Sequence, residues 1–200
     1  MAGWEREEVL WGQGYRLIGG CDEVGRGPLA GPVVAAIAVF DRRLPLQLRD
    51  SKTLTAKQRL RLNREILAGC VAVGIGVVDN STIDELNILN ATKLAMLRAW
   101  TKLRIKPDYL LVDALEPEAL AARVRLEGLV DGDAKSAVIA AASIVAKVYR
   151  DRLMANYHKH FPQYNFISNK GYPTREHLQA LRQHGPCSLH RFSFRGVNGG

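Results

Sequence analysis

A chain of 200 residues that is 47% hydrophobic and 24% charged can bury one real core and lacks the composition of a disordered segment. Its 28 basic residues outnumber 20 acidic ones, and a net charge of +8 favours a polyanionic partner, nucleic acid being the commonest. Three unevenly spaced cysteines with no C-x-x-C pair suggest neither a zinc knuckle nor a disulfide framework. The absence of a basic-then-apolar leader or of roughly 18 consecutive apolar residues leaves the cytoplasm as the expected compartment, with no membrane association.

In chain order, the apolar stretches 15–19 and 33–40 read as two strands joined at G-C-D-E-V-G-R-G-P-L-A-G-P, a hairpin with Asp22 and Glu23 at its bend. A charged loop follows, then a helix over 55–68 closed by Gly69, a third strand over 71–78, and a helix that begins near 81–84 and runs to about Leu103. Tyr109-Leu-Leu-Val-Asp113 is a short, continuously apolar strand of the kind that a sheet covered on both faces requires. A helix over 116–125 and a last strand over 126–130 come next. The alanine-rich run 137–146 predicts a helix packed closely into the core. An aromatic and polar loop over 161–174 and a helix over 175–183 complete the chain. Strands first, then helix and strand in alternation, predict an α/β fold around a mixed sheet.

Four acids stand at element ends: Asp22 and Glu23 after the first strand, Asp113 closing another, and Asp133 before the buried helix. Each alone is a common turn former or cap. Together they offer oxygen ligands from several segments, which is what hard divalent cations require. Neighbouring side chains on a regular strand point to opposite faces, so Asp22 and Glu23 can share an ion only where the strand ends or bends. Gly25 and Gly27 permit a bend and a close backbone approach, and Arg26 carries a donor fork suited to phosphate or sugar oxygens. At about 100° per residue, Asp133, Ser136, Ser143, Lys147 and Arg150 share one stripe, which could face either a charged site or solvent.

Some motifs lead nowhere. Gly25-x-Gly27-x-x-Ala30 fits a loose dinucleotide fingerprint, but Pro28 and a β-rich run follow where a helix is needed. No phosphate-cradling G-x-x-x-x-G-K-[ST] is present, and His158 and His160 lack partners for zinc. Ser143 and Lys147 sit one turn apart, a spacing that in an alanine-rich helix favours packing over nucleophilic work.

In order, the blocks are D-E-V-G-R-G-P-L-A-G-P at 22–32, D-S-K-T-L at 50–54, L-V-D at 111–113 and G-D-A-K-S with A-A-A-S-I-V-A-K-V-Y-R-D-R over 132–152. N-K-G-Y-P-T-R-E-H-L at 169–178 and H-R-F-S-F at 190–194 follow. Through them the chain resembles the type 2 ribonucleases H, the ribonuclease HII family. The resemblance implies a ribonuclease H-like α/β fold, a mixed central sheet flanked by helices with a small helical C-terminal part. It implies a single catalytic domain over 1–200, with about 155–200 as an extension that contributes to substrate binding. The implied activity is cleavage of the RNA strand of RNA–DNA hybrids and incision 5′ of single ribonucleotides in duplex DNA, by two-metal catalysis that leaves 3′-hydroxyl and 5′-phosphate ends. Asp22, Glu23, Asp113 and Asp133 would be the catalytic and metal-binding residues, with Mn²⁺ or Mg²⁺ as cofactor. Gly25, Arg26 and Gly27 would read the 2′-hydroxyl, and Tyr172 would pack on the next sugar. Ser51, Lys52, Lys147 and Lys170 would contact phosphates. Phe192 replaces a second arginine common in this block, and Pro173 replaces a commoner glycine. No obligate protein partner is implied, and a monomer is expected. The rival readings are a DNA-cutting nuclease of the same fold and a non-catalytic hybrid-binding protein.

Overall fold

The computed structural model describes residues 2–46, 48 and 54–197. The expected phosphate contacts Ser51 and Lys52 lie outside the described residues. In chain order the elements are α1 (Glu5–Gly12), β1 (Ile18–Val24), β2 (Val33–Phe40), α2 (Ala56–Gly69), β3 (Ala72–Val78), α3 (Asn80–Leu86) and α4 (Ile88–Lys102). Then come β4 (Tyr109–Asp113), α5 (Glu118–Ala121), β5 (Arg125–Leu129), α6 (Gly132–Lys135), α7 (Ala137–His160), α8 (Phe166–Asn169) and α9 (Arg175–His184).

The strands form a mixed sheet in the order β3-β2-β1-β4-β5. β1 pairs antiparallel with β2, and β2 with β3, while β4 lies parallel to both β1 and β5. Every residue of β2 is buried, because α7 covers one face of the sheet and α4 the other. This is the expected mixed sheet flanked by helices. Its C-terminal part gathers Leu29, Met154, Tyr164, Phe166 and Leu181 into a separate apolar cluster.

The alanines of α7 have a direct cause. A methyl group on Gly20 of β1 would lie 2.1 Å from the Val138 backbone, so helix and strand touch main chain to main chain. That contact lays the first half of α7 along the strand that carries Asp22. The helix start is held by Glu7 of α1, which accepts the Ser136 hydroxyl at 2.5 Å and the Val138 N–H at 3.1 Å. Ser136 in turn caps Ile139.

Several boundaries differ from the sequence expectation. β1 does not end before the acids: it starts at Ile18 and runs through them, with Asp22 opposite Ala36 and Glu23 opposite Ala35. The bend falls at Gly25, with φ at +94°. The long helix expected up to Leu103 is two, α3 and α4, broken at Asn87 with φ at +66°, where the Asn87 side chain caps Asn90. α5 is a single turn, since Arg125 is already in β5 beside Tyr109. α7 continues to His160, well past its apolar part, and α8 interrupts the expected loop.

Candidate active site

β1 and β4 run parallel and end side by side, which places the Asp22–Glu23 pair next to Asp113. Asp22, Glu23, Val24, Asp113, Ser143, Lys147 and Tyr172 line one cleft of about 200 Å³. The two adjacent acids reach the same cleft because Glu23 is the penultimate residue of β1, just before the turn at Gly25.

Each carboxylate is oriented by a neighbour. Asp22, 5% exposed, accepts the Glu23 N–H at 2.7 Å and the hydroxyl of Ser143, so the serine in the apolar helix faces the acids. Asp113 accepts the Gly132 N–H at 2.8 Å from the first turn of α6. Glu23 pairs through Oε1 with Arg26 at 3.3 Å, while its Oε2 is buried without a hydrogen-bond partner. Burial and the charge of Glu23, with a smaller contribution from Asp113, push the Asp22 carboxyl up to about 8. Burial also raises Glu23, against the pull of Arg26. Asp133 is buried in α6 next to Gly132, but it does not line the cleft. Among the described residues no three acid, histidine or cysteine side chains are already drawn together as a ligand set.

Two arginines hold the glycine-rich turn from inside. Arg191, fully buried, donates to the carbonyls of Gly25, Arg26 and Gly31. Arg150, equally buried, donates to the carbonyls of Pro32, Ala30 and Lys170. Burial of a guanidinium is tolerable only with its donors used, and here backbone carbonyls take them. The turn cannot accept a side chain at Gly25, where a methyl group would sit 2.3 Å from Arg150 Nε. Gly27 is different: its nearest neighbour would be the Tyr172 ring at 3.8 Å, so its backbone faces open space beside the cleft.

The expected phosphate contacts separate. Lys147 lines the cleft and pairs with Asp151 at 2.7 Å. Lys170 instead borders a groove between α2 and α7 with Arg59, Asp151 and Arg152. Three of the five non-glycine residues with left-handed backbone among the described residues, Ala114, Asp131 and Lys170, stand beside these acids or this groove. Such strain persists where surrounding contacts enforce it.

Sequence reasoning overlooked Arg191 and the Gly132 N–H, and read Arg150 as part of a polar stripe. Arginine in a conspicuous block was the available signal, but its acceptors lie on backbone more than a hundred residues away. Ser143, whose place in an alanine-rich helix favours packing, turns its hydroxyl to Asp22.

The ribonuclease HII family model matches residues 19–197. A ribonuclease HII from Desulfitobacterium hafniense (strain DSM 10664 / DCB-2) is 51% identical over 192 residues, covering 96% of this chain and 73% of the relative. The ribonuclease H2 of Pyrococcus horikoshii OT3 superimposes with a TM-score of 0.76 at 27% identity, covering 90% of this chain and 95% of that one. The ribonuclease HII of Archaeoglobus fulgidus, solved in complex with PCNA, gives 0.75 at 27% identity with the same coverage. Sheet order, acid-lined cleft and these likenesses agree: the chain belongs to the ribonuclease HII family, endoribonucleases of the ribonuclease H type that act on RNA–DNA hybrids.

Proposed function

We propose that this chain, beyond cutting RNA in hybrids, incises duplex DNA on the 5′ side of a single embedded ribonucleotide and leaves 3′-hydroxyl and 5′-phosphate ends. The observation that carries the reading is that three carboxylates and Tyr172 share one cleft beside an open glycine turn. The donor set fits divalent cations: oxygen ligands from two strands, one buried carboxylate oxygen without a partner, and an Asp22 carboxyl raised to about 8 by burial and a neighbouring negative charge. Asp22, Glu23 and Asp113, completed by Asp133 from α6, would hold Mn²⁺ or Mg²⁺, and two such ions would supply an activated water and stabilise a leaving oxygen.

The protein's own groups do the rest. Ser143 and the Gly132 N–H orient Asp22 and Asp113 before substrate arrives. The backbone at Gly25, Arg26 and Gly27, held by Arg191, presents its groups to the minor groove, where the 2′-hydroxyl distinguishes RNA from DNA. The ring of Tyr172 closes the same side of the cleft and would pack against the following sugar. Lys147 is placed to meet a phosphate near the acids and Lys170 one further along, contacts that position rather than specify. Residues from about 155 onward would form the substrate-binding extension of a single domain. The chain would work in the cytoplasm as a monomer with no obligate partner, although the Archaeoglobus relative was solved with PCNA. No helix among the described residues is long and apolar enough to cross a membrane.

Product chemistry tests the reading. A long RNA–DNA hybrid cut in Mn²⁺ or Mg²⁺ should give fragments whose 5′ ends carry phosphate and whose 3′ ends a polymerase can extend. Fragments with 5′-hydroxyl ends would mean attack by the 2′-hydroxyl itself and would overturn the proposal.

A further inference from the structure

Behind Tyr172 lie two histidines that line no part of the cleft. His177 on α9 and His190 beyond it are both fully buried, and their Nε2 atoms are 3.0 Å apart. Their other partners decide where the protons are. The Cys187 N–H, which can only donate, is 2.9 Å from His190 Nδ1, so that nitrogen accepts and the His190 proton is on Nε2. The 3.3 Å approach of the same Nδ1 to the Cys187 carbonyl is then a secondary contact. His190 Nε2–H donates to His177 Nε2, which leaves the His177 proton on Nδ1, where the Tyr172 carbonyl accepts it at 2.9 Å. Protons therefore point one way, from Cys187 through both rings to Tyr172.

The surroundings keep the pair neutral. A further proton on His177 Nε2 or on His190 Nδ1 would set two N–H groups against each other. Burial lowers both rings, His190 to about 4 with the nearness of His177 as the next cause. Tyr164 packs its ring 4.8 Å from His190, but its hydroxyl donates to the Gly185 carbonyl. Phe166 stacks on Tyr164 and packs against both histidine rings, and the raised Cys187 thiol stays protonated.

The relay's two ends belong to different substrate-reading parts. His190 forms an antiparallel bridge with Ala30, and the next residue, Arg191, grips the Gly25 and Arg26 carbonyls. His177 holds the backbone of Tyr172, whose ring lies against Gly27. We propose that the His177–His190 relay positions Tyr172 relative to the Gly25–Gly27 turn and so sets the preference for a single ribonucleotide over a long hybrid. This rests on the reading of Tyr172 and the turn as the parts that recognise the junction. A histidine pair that merely filled the core would need neither opposite tautomers nor any effect on that preference.

Side-chain ¹H–¹⁵N correlation spectra of the intact protein at pH 7 test the geometry. They should show both rings neutral, protonated on Nδ1 in His177 and on Nε2 in His190; a charged ring or matching tautomers would overturn the relay. The function is read as the ratio of incision at one embedded ribonucleotide to cleavage of a long hybrid. Tyr172→Ala and His177→Phe should each lower this ratio by about tenfold, the scale of one lost positioning hydrogen bond. The double variant should fall no further than either single one. His177→Asn, whose amide can still donate to Tyr172, should recover most of the loss. If Tyr172→Ala leaves the ratio unchanged, the reading of Tyr172 fails and takes the relay's role with it. If Tyr172→Ala lowers the ratio while His177→Phe does not, or their effects simply add, the relay alone fails. Should His177→Phe not fold, His190→Asn takes its place in the comparison, since it can keep an acceptor for Cys187 while cutting the link to His177.

Discussion

Replacing Asp22 by asparagine should do two opposite things, and the structure gives the size of one. In the metal-free protein the Asp22 carboxyl is raised from 3.8 to about 8 by burial and by Glu23 and Asp113. A raised carboxyl contributes its full stability below the unfolded value of 3.8 and loses it as pH rises through about 8. At pH 7 the unfolded chain is ionised there and the folded one protonated, a cost on the order of 4 kcal/mol. Asparagine carries no charge and can still accept from Ser143 and the Glu23 N–H, so it should recover about 2–4 kcal/mol at pH 7 to 8. For a chain of this size that is roughly 5–12 °C in Tm. Thermal denaturation in EDTA at pH 4.5, 7 and 8.5 would show the variant's advantage growing with pH. Hybrid cleavage by the same variant should fall to background while hybrid binding persists. A variant less stable than the parent at every pH, or one that still cuts near the parental rate, would refute the reasoning.

Other consequences follow from the same geometry. Metal binding should release close to one proton at pH 7 and weaken as pH falls below about 8, because the bound form needs Asp22 ionised; calorimetry in two buffers of different ionisation enthalpy would measure it. Gly25→Ala should destabilise the fold and erase incision, since its methyl would strike Arg150 and its φ of +94° excludes a side chain, whereas Gly27→Ala should fold normally by circular dichroism. Arg191→Leu should cost roughly 2–5 kcal/mol in urea denaturation by stranding the Gly25, Arg26 and Gly31 carbonyls.

The acids were legible as residues at element ends, and the mixed sheet as strands followed by alternation. Their meeting was not. Asp22 and Asp113 come together because β1 and β4 pair in parallel, a register that no local pattern encodes. The turn lies at Gly25, one of the two glycines that permit a bend, but β1 runs on through the acids to Val24, and Gly20 is where α7 presses on that strand. Asn87 broke an amphipathic run because its side chain caps the next helix from a left-handed backbone, which periodicity cannot register. The two buried arginines were hidden for a related reason. Arginine usually reads as surface, and the carbonyls that justify its burial come from the far end of the chain.

The most direct test of the account uses a labelled DNA duplex with one ribonucleotide and its all-DNA twin, each incubated with the protein and Mn²⁺ or Mg²⁺, with and without EDTA. A single metal-dependent cut on the 5′ side of the ribonucleotide and an untouched twin are expected. Cutting of both duplexes would contradict the role given to the Gly25–Gly27 turn and Tyr172, and cutting that survives EDTA would contradict the role given to the carboxylates.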